Sequence, residues 1–480
     1  MREFEPVIGL EVHVELLTDT KIFCGCRTDF GAKPNSQICP VCLGLPGARP
    51  VLNQKAVEYT IKAALALNCE IATYPTFDRK NYFYADLPNG YQISQYFRPM
   101  GTNGYVEIEV NGEKKQVGIR QIHLEEDTGS LTHAAGDIAS SEQSLVDFNR
   151  AGVPLMEIVT KPDIRSGEEA RIFLQKLRTI LRYAGVSDCK MEEGSMRCDA
   201  NVSIRPRGSE VFGTKTEIKN MNSTRSVQRG IEYEIQRQIE LVNQGEEVIP
   251  QTRHWDENNN ITIAMRSKYV AADYRCFPDP NVVPLYNDPA WVETIRQSLP
   301  EMPDARYQRM VEADGLPQDD AEIIVAEREL ADFYAATTKL YAKPKQVANW
   351  ITGELLRLLK LENKEEGAIP ITPENLADLL KLIDAGIISG KIAKTIFAEM
   401  FSSGKDPGII VKEKGLTQIT DEGQLEEIVS KVLADNVQSV EDFRAGKERA
   451  FGFLVGQVMK ETKGKANPQL VNKLLREKIG

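Results

Sequence analysis

Acidic and imidazole side chains alternate with apolar ones along five short segments of this sequence. In residues 7–16 the apolar residues alternate with Gly9, Glu11, His13 and Glu15. Because strand side chains point to two faces in turn, this pattern predicts a strand with one apolar face and one face of acids and histidine. The four later segments present His123, Glu125 and Asp127; Glu157; Asp199, Asn201, Ser203 and Arg205; and Glu217 and Lys219.

Two interpretations fit these alternating segments. Polar residues along a strand usually form the solvated outer face of an antiparallel sheet. Such faces are usually rich in lysine, threonine and glutamine, whereas these segments place acids there. Like charges on one sheet face repel each other unless something positive lies among them. The pattern therefore slightly favours a site for a hard cation and an anion.

A four-cysteine motif lies near the start of the chain. Cys24-Gly-Cys26 is followed after twelve residues by Cys39-Pro-Val-Cys42. Four thiolates on two tight turns suit tetrahedral zinc, and without imidazole or carboxylate ligands the site is predicted to be structural. The first pair is irregular because it has one intervening residue. The remaining cysteines are scattered and are interpreted as ordinary thiols.

The common phosphate-binding loops are absent from the sequence. Residues 386–391 are one residue short of a Walker A motif and are followed by Ile392, so they are predicted to form a turn between helices. No G-x-G-x-x-G sequence follows a predicted strand. A bound phosphate would therefore need strand side chains and a bridging magnesium ion. The candidate cations are Lys80, Arg150, Arg205 and Lys219, each of which is individually more typical of a surface charge.

The pattern of turns and amphipathic segments predicts an α+β fold. To about residue 290 the chain is strand-rich, with helices predicted over 53–67 and 166–184. We expect an antiparallel-sheet cradle with a zinc-binding insertion over 1–290, an all-α helical domain over 291–405 and a small helical tail domain over 406–480. Residues 402–408 are the predicted linker to the tail.

Charge and hydropathy bound the class of protein. The 480 residues carry a net charge of -11, and 41% of them are hydrophobic. With no apolar run long enough for a bilayer and no secretory signal, the chain is expected to be cytoplasmic. Residues 444–480 differ, since nine basic residues outnumber three acidic ones there. This basic segment is either an RNA-binding surface or a solvated helical face.

Seven runs of the sequence resemble the GatB family of aspartyl/glutamyl-tRNA amidotransferase components. They are residues 8–15, 39–47, 80–88, 123–129, 147–159, 196–203 and 217–223. The likeness extends over essentially the whole chain and includes a tail similar to the YqeY family. It implies a cradle that phosphorylates the side-chain carboxylate of glutamate or aspartate wrongly attached to tRNA(Gln) or tRNA(Asn). Ammonia from glutamine would then displace the phosphate, with a GatA amidase and a small GatC protein as partners in a heterotrimer.

The resemblance also implies the cofactors ATP, Mg²⁺ and Zn²⁺ and assigns residues to them. The catalytic and magnesium-binding set would be Glu11, His13, Glu125, Glu157 and Asp199. The ATP-binding set would be Lys80, Arg150, Asn201, Arg205 and Lys219. The zinc ligands would be Cys24, Cys26, Cys39 and Cys42. Which of Glu125, Glu126 and Asp127 bind metal stays open, because neighbouring strand residues point oppositely. It is also open whether His13 is a ligand or orients a carboxylate.

Two other functions compete with this one at the level of sequence. The chain would be a tRNA-binding module if its acids only lined an ammonia path and a partner did the chemistry. It would be a stand-alone carboxylate–amine ligase if it used free ammonium without tRNA. No amidase Ser-Ser-Lys signature or Cys-His glutaminase pattern is evident in the sequence, so a separate source of ammonia is expected. The preference for glutamate or aspartate stays open.

Overall fold

The computed structural model describes residues 3–133, 143–265, 274–364, 368–416, 422–462 and 466–480. The chain divides into two compact units, Met1–Met302 and Pro303–Gly480. The first contains strands and helices, and the described part of the second is helical. This mixed architecture confirms the predicted α+β class, while the division into three domains stays a prediction.

The first unit is built around one large sheet. Its strands, together with those of two smaller sheets, are β1 Phe4–Glu15, β2 Glu70–Ile71, β3 Asp78–Asn81, β4 Tyr91–Ser94, β5 Gly101–Val110, β6 Glu113–Glu126, β7 Ser130–His133, β8 Ser144–Asp147, β9 Pro154–Thr160, β10 Met196–Pro206, β11 Thr216–Met221, β12 Gln251–Asp256, β13 Ile261–Ala264 and β14 Phe277–Pro278. Within the described residues the large sheet has nine strands in the order β13-β12-β11-β10-β1-β9-β6-β5-β2. Neighbours are antiparallel except for the parallel pair β11 and β12. The smaller sheets are β14-β3-β4 and β7-β8.

Helices cover one face of the large sheet. The helices of this unit are α1 Gln54–Ala66, α2 Gly167–Ala184, α3 Thr224–Asn243 and α4 Pro289–Gln297. The apolar residues of β1, including Leu10 and Val12, share one core with Phe173 and Leu177 of α2. Because side chains alternate along a strand, this packing turns the acidic and histidine side chains toward the other face. The predicted alternation is thereby confirmed, except that Ser203 is buried rather than presented.

The helix α3 was not predicted, whereas α1 and α2 were. Its buried stripe runs through Val227, Ile231 and Ile235 but also includes Glu234 and Gln238. Glu234 accepts hydrogen bonds from Arg237 and Gln238, so its charge is satisfied within the core. Polar residues in the buried stripe weaken the hydrophobic periodicity from which a helix is recognised.

The second unit consists of helices joined by short turns. They are α5 Pro303–Glu312, α6 Gln318–Ala326, α7 Arg328–Leu340, α8 Pro344–Asn349, a π-helix over Trp350–Leu355, α9 Leu356–Leu361, α10 Pro373–Asp384, α11 Gly390–Ser403, α12 Pro407–Lys414, α13 Glu422–Asp435, α14 Val437–Arg444, α15 Glu448–Glu461 and α16 Pro468–Ile479. None of the helices in the described part of the chain is long and apolar enough to cross a membrane.

Residues 402–408 are not the extended linker that was predicted. They contain the end of α11, a short turn and the beginning of α12, which packs against α10 and α11. Ile410 and Val411 of α12 are buried. The helices α13, α15 and α16 contribute to a separate apolar core that includes Leu425, Leu454 and Leu475. The predicted turn at 386–391 is confirmed, since it ends at the Ser389 cap of α11.

We expect Gly104→Ala to destabilise the first unit. A Cβ atom at this position would lie 2.5 Å from the carbonyl oxygen of Leu67 and 2.3 Å from Cys69 Sγ, so the backbone between α1 and β5 would have to move. Overpacking of this kind costs about 1–3 kcal/mol, measurable as a lower midpoint of urea unfolding. Gly353→Ala is the control, because its added methyl group meets nothing within 4 Å. Equal midpoints for both variants would contradict the tight packing at Gly104.

Candidate functional site

Three strands bring two histidines and a glutamate into one row across the polar face. His123 of β6 pairs with Glu157 of β9, and Glu157 pairs with His13 of β1. Side chains at directly opposed positions lie about 5 Å apart at Cβ, so the three side chains are in reach of each other. Glu125 lies two residues beyond His123 and therefore on the same face. The sequence segments that were predicted separately thus converge on one site.

The distances within this group are short. His123 Nε2 lies 3.2 Å from Glu157 Oε2 and 3.3 Å from Glu125 Oε2, and His13 Nε2 lies 3.5 Å from Glu157 Oε2. One ligand atom each from His13, Glu125 and Glu157 lies within 4.8 Å of the other two. We call His13, His123, Glu125 and Glu157 the central cluster.

The titration behaviour of the central cluster follows from its burial and its mixed charges. Burial alone would lower the pKa of His123, but the carboxylates of Glu157 and Glu125 raise it to about 10. Burial alone would raise the pKa of Glu157, but the two imidazoles hold it well below its usual range. The acids are therefore ionised and the positive charge rests on the imidazoles. A divalent cation bound to the same oxygens would supply that positive charge instead.

The donor set of the central cluster fits a divalent cation. An octahedral magnesium ion separates adjacent ligand atoms by about 3.0 Å and opposite ones by about 4.2 Å. Donors of His13, Glu125 and Glu157 already within 4.8 Å need only small side-chain shifts to reach that geometry. Two carboxylates and one imidazole also suit softer divalent ions.

A second group of site residues lies next to the central cluster on β1, β10 and β11. Glu11 pairs in register with Asp199, and Asn201 Nδ2 donates to Glu11 Oε1 at 3.0 Å. Lys219 Nζ bonds Asp199 and lies 3.1 Å from Glu217 Oε1. Burial raises the pKa of Glu11, and the charges of Glu157 and Glu217 raise it further. Four of the predicted site residues, Glu11, Asp199, Asn201 and Lys219, are thereby brought together.

Three predicted cations are engaged elsewhere. Arg205 donates to Glu5 at 2.9 Å, six residues along β10 from Asp199. The guanidinium of Arg150 donates to the carbonyl oxygens of Thr128 and Gly129 at 3.0 and 2.9 Å. Lys80 Nζ lies over the rings of Tyr82 and Tyr274, 5.8 and 5.0 Å from their centroids. Their assignment to ATP stays a prediction, and these contacts describe where each charge rests in the structure.

The three consecutive acids at the end of β6 have three different environments. Glu125 belongs to the central cluster, where Ser94 Oγ donates to its Oε2 at 2.9 Å. Glu126 points to the other side and accepts a hydrogen bond from the backbone N–H of Ile93 at 2.9 Å. Asp127 accepts a hydrogen bond from Arg197 Nη2 at 2.7 Å. Of the three, Glu125 alone shares the site with His13 and Glu157.

Sequence reasoning missed three side chains at this site, namely His123, Ser94 and Arg197. His123 and Arg197 could have been found, since both have the same strand parity as the predicted residues and Arg197 pairs with His13. Ser94 carries no such signal, because it lies on β4 of a different sheet. Its contact with Glu125 exists only through tertiary packing.

The four motif cysteines form a second candidate metal centre. Ligand atoms of Cys24, Cys26, Cys39 and Cys42 all lie within 4.8 Å of one another. The sulfurs of Cys39 and Cys42 are 3.9 Å apart. Zinc bound at about 2.3 Å to four sulfurs separates them by about 3.8 Å, so the cluster fits tetrahedral zinc. The backbone N–H of Cys39 also points at Cys42 Sγ, 3.1 Å away.

Comparison with known families places this geometry. Residues 6–293 match the GatB/GatE catalytic domain, and residues 332–479 match the GatB domain that includes the YqeY-like tail. A protein of Carboxydothermus hydrogenoformans is 61% identical over 479 residues, which span 100% of this chain and 99% of the relative. A protein of Brevibacillus brevis is 56% identical over 477 residues, or 99% of each chain. Both are named as the GatB-type component of an aspartyl/glutamyl-tRNA(Asn/Gln) amidotransferase.

We expect Cys39→Ser or Cys42→Ser to lose bound zinc and to destabilise the first unit, with activity falling as a consequence. The loss follows because the oxygen of serine is a poorer ligand than a thiolate for a four-sulfur zinc site. Metal analysis of the purified chain gives the zinc content, and thermal unfolding gives the stability. Cys189→Ser is the control, because that cysteine is buried outside the cluster. A zinc content near zero in wild-type protein never exposed to chelator would contradict the zinc interpretation.

Proposed function

The chain belongs to the GatB/GatE family, and we propose that its central cluster and the adjoining acids are where a misacylated tRNA is activated and amidated. The activity is the ATP-dependent phosphorylation of the side-chain carboxylate of Glu-tRNA(Gln) or Asp-tRNA(Asn). Ammonia supplied by a partner glutaminase then gives Gln-tRNA(Gln) or Asn-tRNA(Asn). The observation that supports this site most is the row His123, Glu157 and His13 with Glu125 beside it.

The chemistry explains why such a row is needed. A carboxylate is a poor acyl donor because its leaving group would be oxide, whereas phosphorylation converts it to a mixed anhydride with phosphate as leaving group. Phosphoryl transfer of this kind is catalysed mostly by positioning and by screening negative charge. A bound magnesium ion would supply that screening and would bridge phosphate oxygens.

Each residue of the central cluster has a proposed role. His13, Glu125 and Glu157 would hold the cation, because their donor atoms already converge. His123 lies between the two carboxylates and would fix their orientation. Ser94 holds one oxygen of Glu125 by its hydrogen bond, which leaves the second oxygen to face the cation. These side chains would bind and orient, and none of them needs to transfer a proton.

The neighbouring group would bind the nucleotide phosphates. Glu11 and Asp199 add carboxylate oxygens on the side of the cluster nearest β10. Lys219 places an ammonium group beside them, and Asn201 adds an amide that donates hydrogen bonds. Lys219 is the described cation of the predicted set that lies nearest these acids, so we propose it as the first phosphate contact.

The partners follow from the same premise. The relatives are named as one component of a larger amidotransferase, and we propose that the other components are a GatA amidase and a small GatC protein. GatA would hydrolyse glutamine and deliver ammonia. We also propose that zinc at the cysteine cluster braces the cradle and takes no part in the reaction. The cytoplasm is the proposed location, since tRNA charging takes place there.

We expect Glu11→Ala, His13→Ala, Glu157→Ala or Asp199→Ala in the assembled complex to abolish transamidation while basal glutaminase activity remains. Loss of one ligand weakens charge screening in the transition state by several kcal/mol, so the rate should fall at least about 100-fold. The measurement is formation of amidated tRNA alongside release of glutamate from glutamine. Glu107→Ala is the control, because Glu107 lies on β5 and pairs with Lys114. Variants with near wild-type transamidation would mean that these strands are scaffold.

The tail is the proposed tRNA-binding part of the chain. The net charge of +6 in residues 444–480 is concentrated on and around α15 and α16. Several of these cations have partners, such as Lys447 with Asp442 at 2.9 Å and Arg444 with the carbonyl of Ile479 at 3.0 Å. Lys463 and Lys465, which contribute to the predicted charge, lie outside the described residues.

We expect deletion of the tail to weaken tRNA binding in a salt-dependent way. The predicted deletion of residues 406–480 would also remove α12, whose Ile410 and Val411 are buried, so removal of residues 417–480 is the cleaner test. Phosphate contacts release counterions, and the affinity lost should therefore be greater at low salt. Filter retention of misacylated tRNA at two salt concentrations measures this, with glutaminase activity as the control. Equal binding of truncated and full-length complexes would place tRNA recognition elsewhere.

A further inference from the structure

Lys21 is a fully buried lysine beside the cysteine cluster. Its exposed fraction is 0%, and its Nζ donates to the carbonyl oxygen of Phe148 at 3.2 Å. Lysine is almost never fully buried unless its charge is paired, because transfer of an ammonium group out of water is costly. Among the described residues, Lys21 has no carboxylate within ion-pair distance. One carbonyl oxygen is a weak substitute for a counter-charge.

The surroundings of Lys21 point to the cysteines as the missing charge. It lines a cavity of about 210 Å³ together with Cys24, Cys42 and Glu126. The pKa of Cys42 is lowered to about 4, chiefly by the hydrogen bond from Cys24 and also by the backbone of Cys39 and the charge of Lys21. The ammonium group thus lies close enough to the cluster to act on its sulfurs.

The charge of a loaded cluster makes this proximity meaningful. Four thiolates around one Zn²⁺ leave a net charge of about -2 in a partly buried place. Such a charge needs a nearby cation for the same reason that Lys21 needs a nearby anion. We propose that Lys21 is the counter-charge of the zinc centre, holding zinc through the charge it places beside the four sulfurs. This inference rests on the proposed zinc site.

The backbone around Lys21 connects the zinc centre to the strand that carries Glu157. The N–H of Lys21 donates to the carbonyl of Cys26 at 2.9 Å, and its ammonium group holds the carbonyl of Phe148. Asn35, in the loop between the cysteine pairs, accepts a hydrogen bond from the N–H of Phe148 at 2.8 Å. The segment 147–153 then leads directly into β9. Lys21 therefore joins the zinc loop to the beginning of a site strand.

Glu126 is the competing counter-charge, because it lines the same cavity. Its pKa is raised to about 7 by burial, so its charge is held less firmly than that of an exposed acid. Its Oε1 is already hydrogen-bonded to the N–H of Ile93. The two possibilities make opposite predictions for zinc. If Lys21 served Glu126, zinc affinity would not depend on the lysine.

The test compares zinc affinity in full-length wild-type, Lys21→Met, Lys21→Arg and Glu126→Gln chains by competition with a chromophoric chelator. Methionine keeps the length of the side chain but removes its charge, and arginine keeps the charge. Loss of a group that supports a metal site typically costs about 10- to 100-fold in metal affinity. We expect that loss in Lys21→Met, little change in Glu126→Gln and an intermediate affinity in Lys21→Arg.

Thermal unfolding with and without zinc separates this role from a purely structural one. With zinc bound, Lys21→Met should unfold at a lower temperature than wild type. After chelation the order should vanish or reverse, because the apo wild-type chain keeps a buried cation without a counter-charge. A lysine that served only to hold Phe148 would lower the unfolding temperature in both states. If Lys21→Met does not fold, Lys21→Gln replaces it in both measurements.

The outcomes distinguish the two proposals. Wild-type protein that binds no zinc would overturn the zinc site itself. Wild-type protein that binds zinc, together with a neutral Lys21 variant that binds it equally tightly, would overturn the role of Lys21 and leave the zinc site standing. A loss of affinity in Glu126→Gln as large as that in Lys21→Met would also overturn the assignment.

Discussion

The burial of several carboxylates on one face of a sheet is the constraint on which the rest of the first unit depends. Ionised acids in a poorly solvated place repel each other unless positive charge lies between them. In this protein the positive charge comes from the imidazoles of His13 and His123 and from the ammonium group of Lys219. Each of these cations is placed by strand register rather than by a flexible loop. The same register makes the face a binding site for a cation with phosphates.

The site is rigid because its residues come from the middle of a wide sheet. The strands β1, β9 and β10 are interior strands, and their reverse side is packed against α2 and α3. Side chains on such strands have few alternative positions, as phosphoryl transfer requires of groups that act by positioning. Ser94 adds a hydrogen bond from a second sheet, so the orientation of Glu125 depends on how β4 meets β6. A change in that packing would alter the site without altering any strand of the row.

The two metal centres of the first unit have opposite requirements. The central cluster uses oxygen and nitrogen donors and remains partly accessible, as a site for substrates must. The cysteine cluster uses four sulfur donors and has no position left for a substrate. Hydrogen bonds from residues 33–37 to the segment 147–149 connect the cysteine loop to the strand that carries Glu157. Zinc can therefore support catalysis through the placement of β9 alone.

The sequence by itself determined the alternating strands, the caps of α1, α2 and α10, the cysteine motif and the family. These features are local, because alternation, capping and cysteine spacing are properties of a few consecutive residues. Tertiary structure decided which of Glu125, Glu126 and Asp127 faces the site, since that choice depends on how β6 ends against β4 and β9. It also brought Ser94 to Glu125, tied Arg150 and Arg205 to other partners, and buried Lys21 beside the cysteines. Each of these is a contact between segments far apart in the chain, and no local pattern of residues encodes the register or packing that creates it.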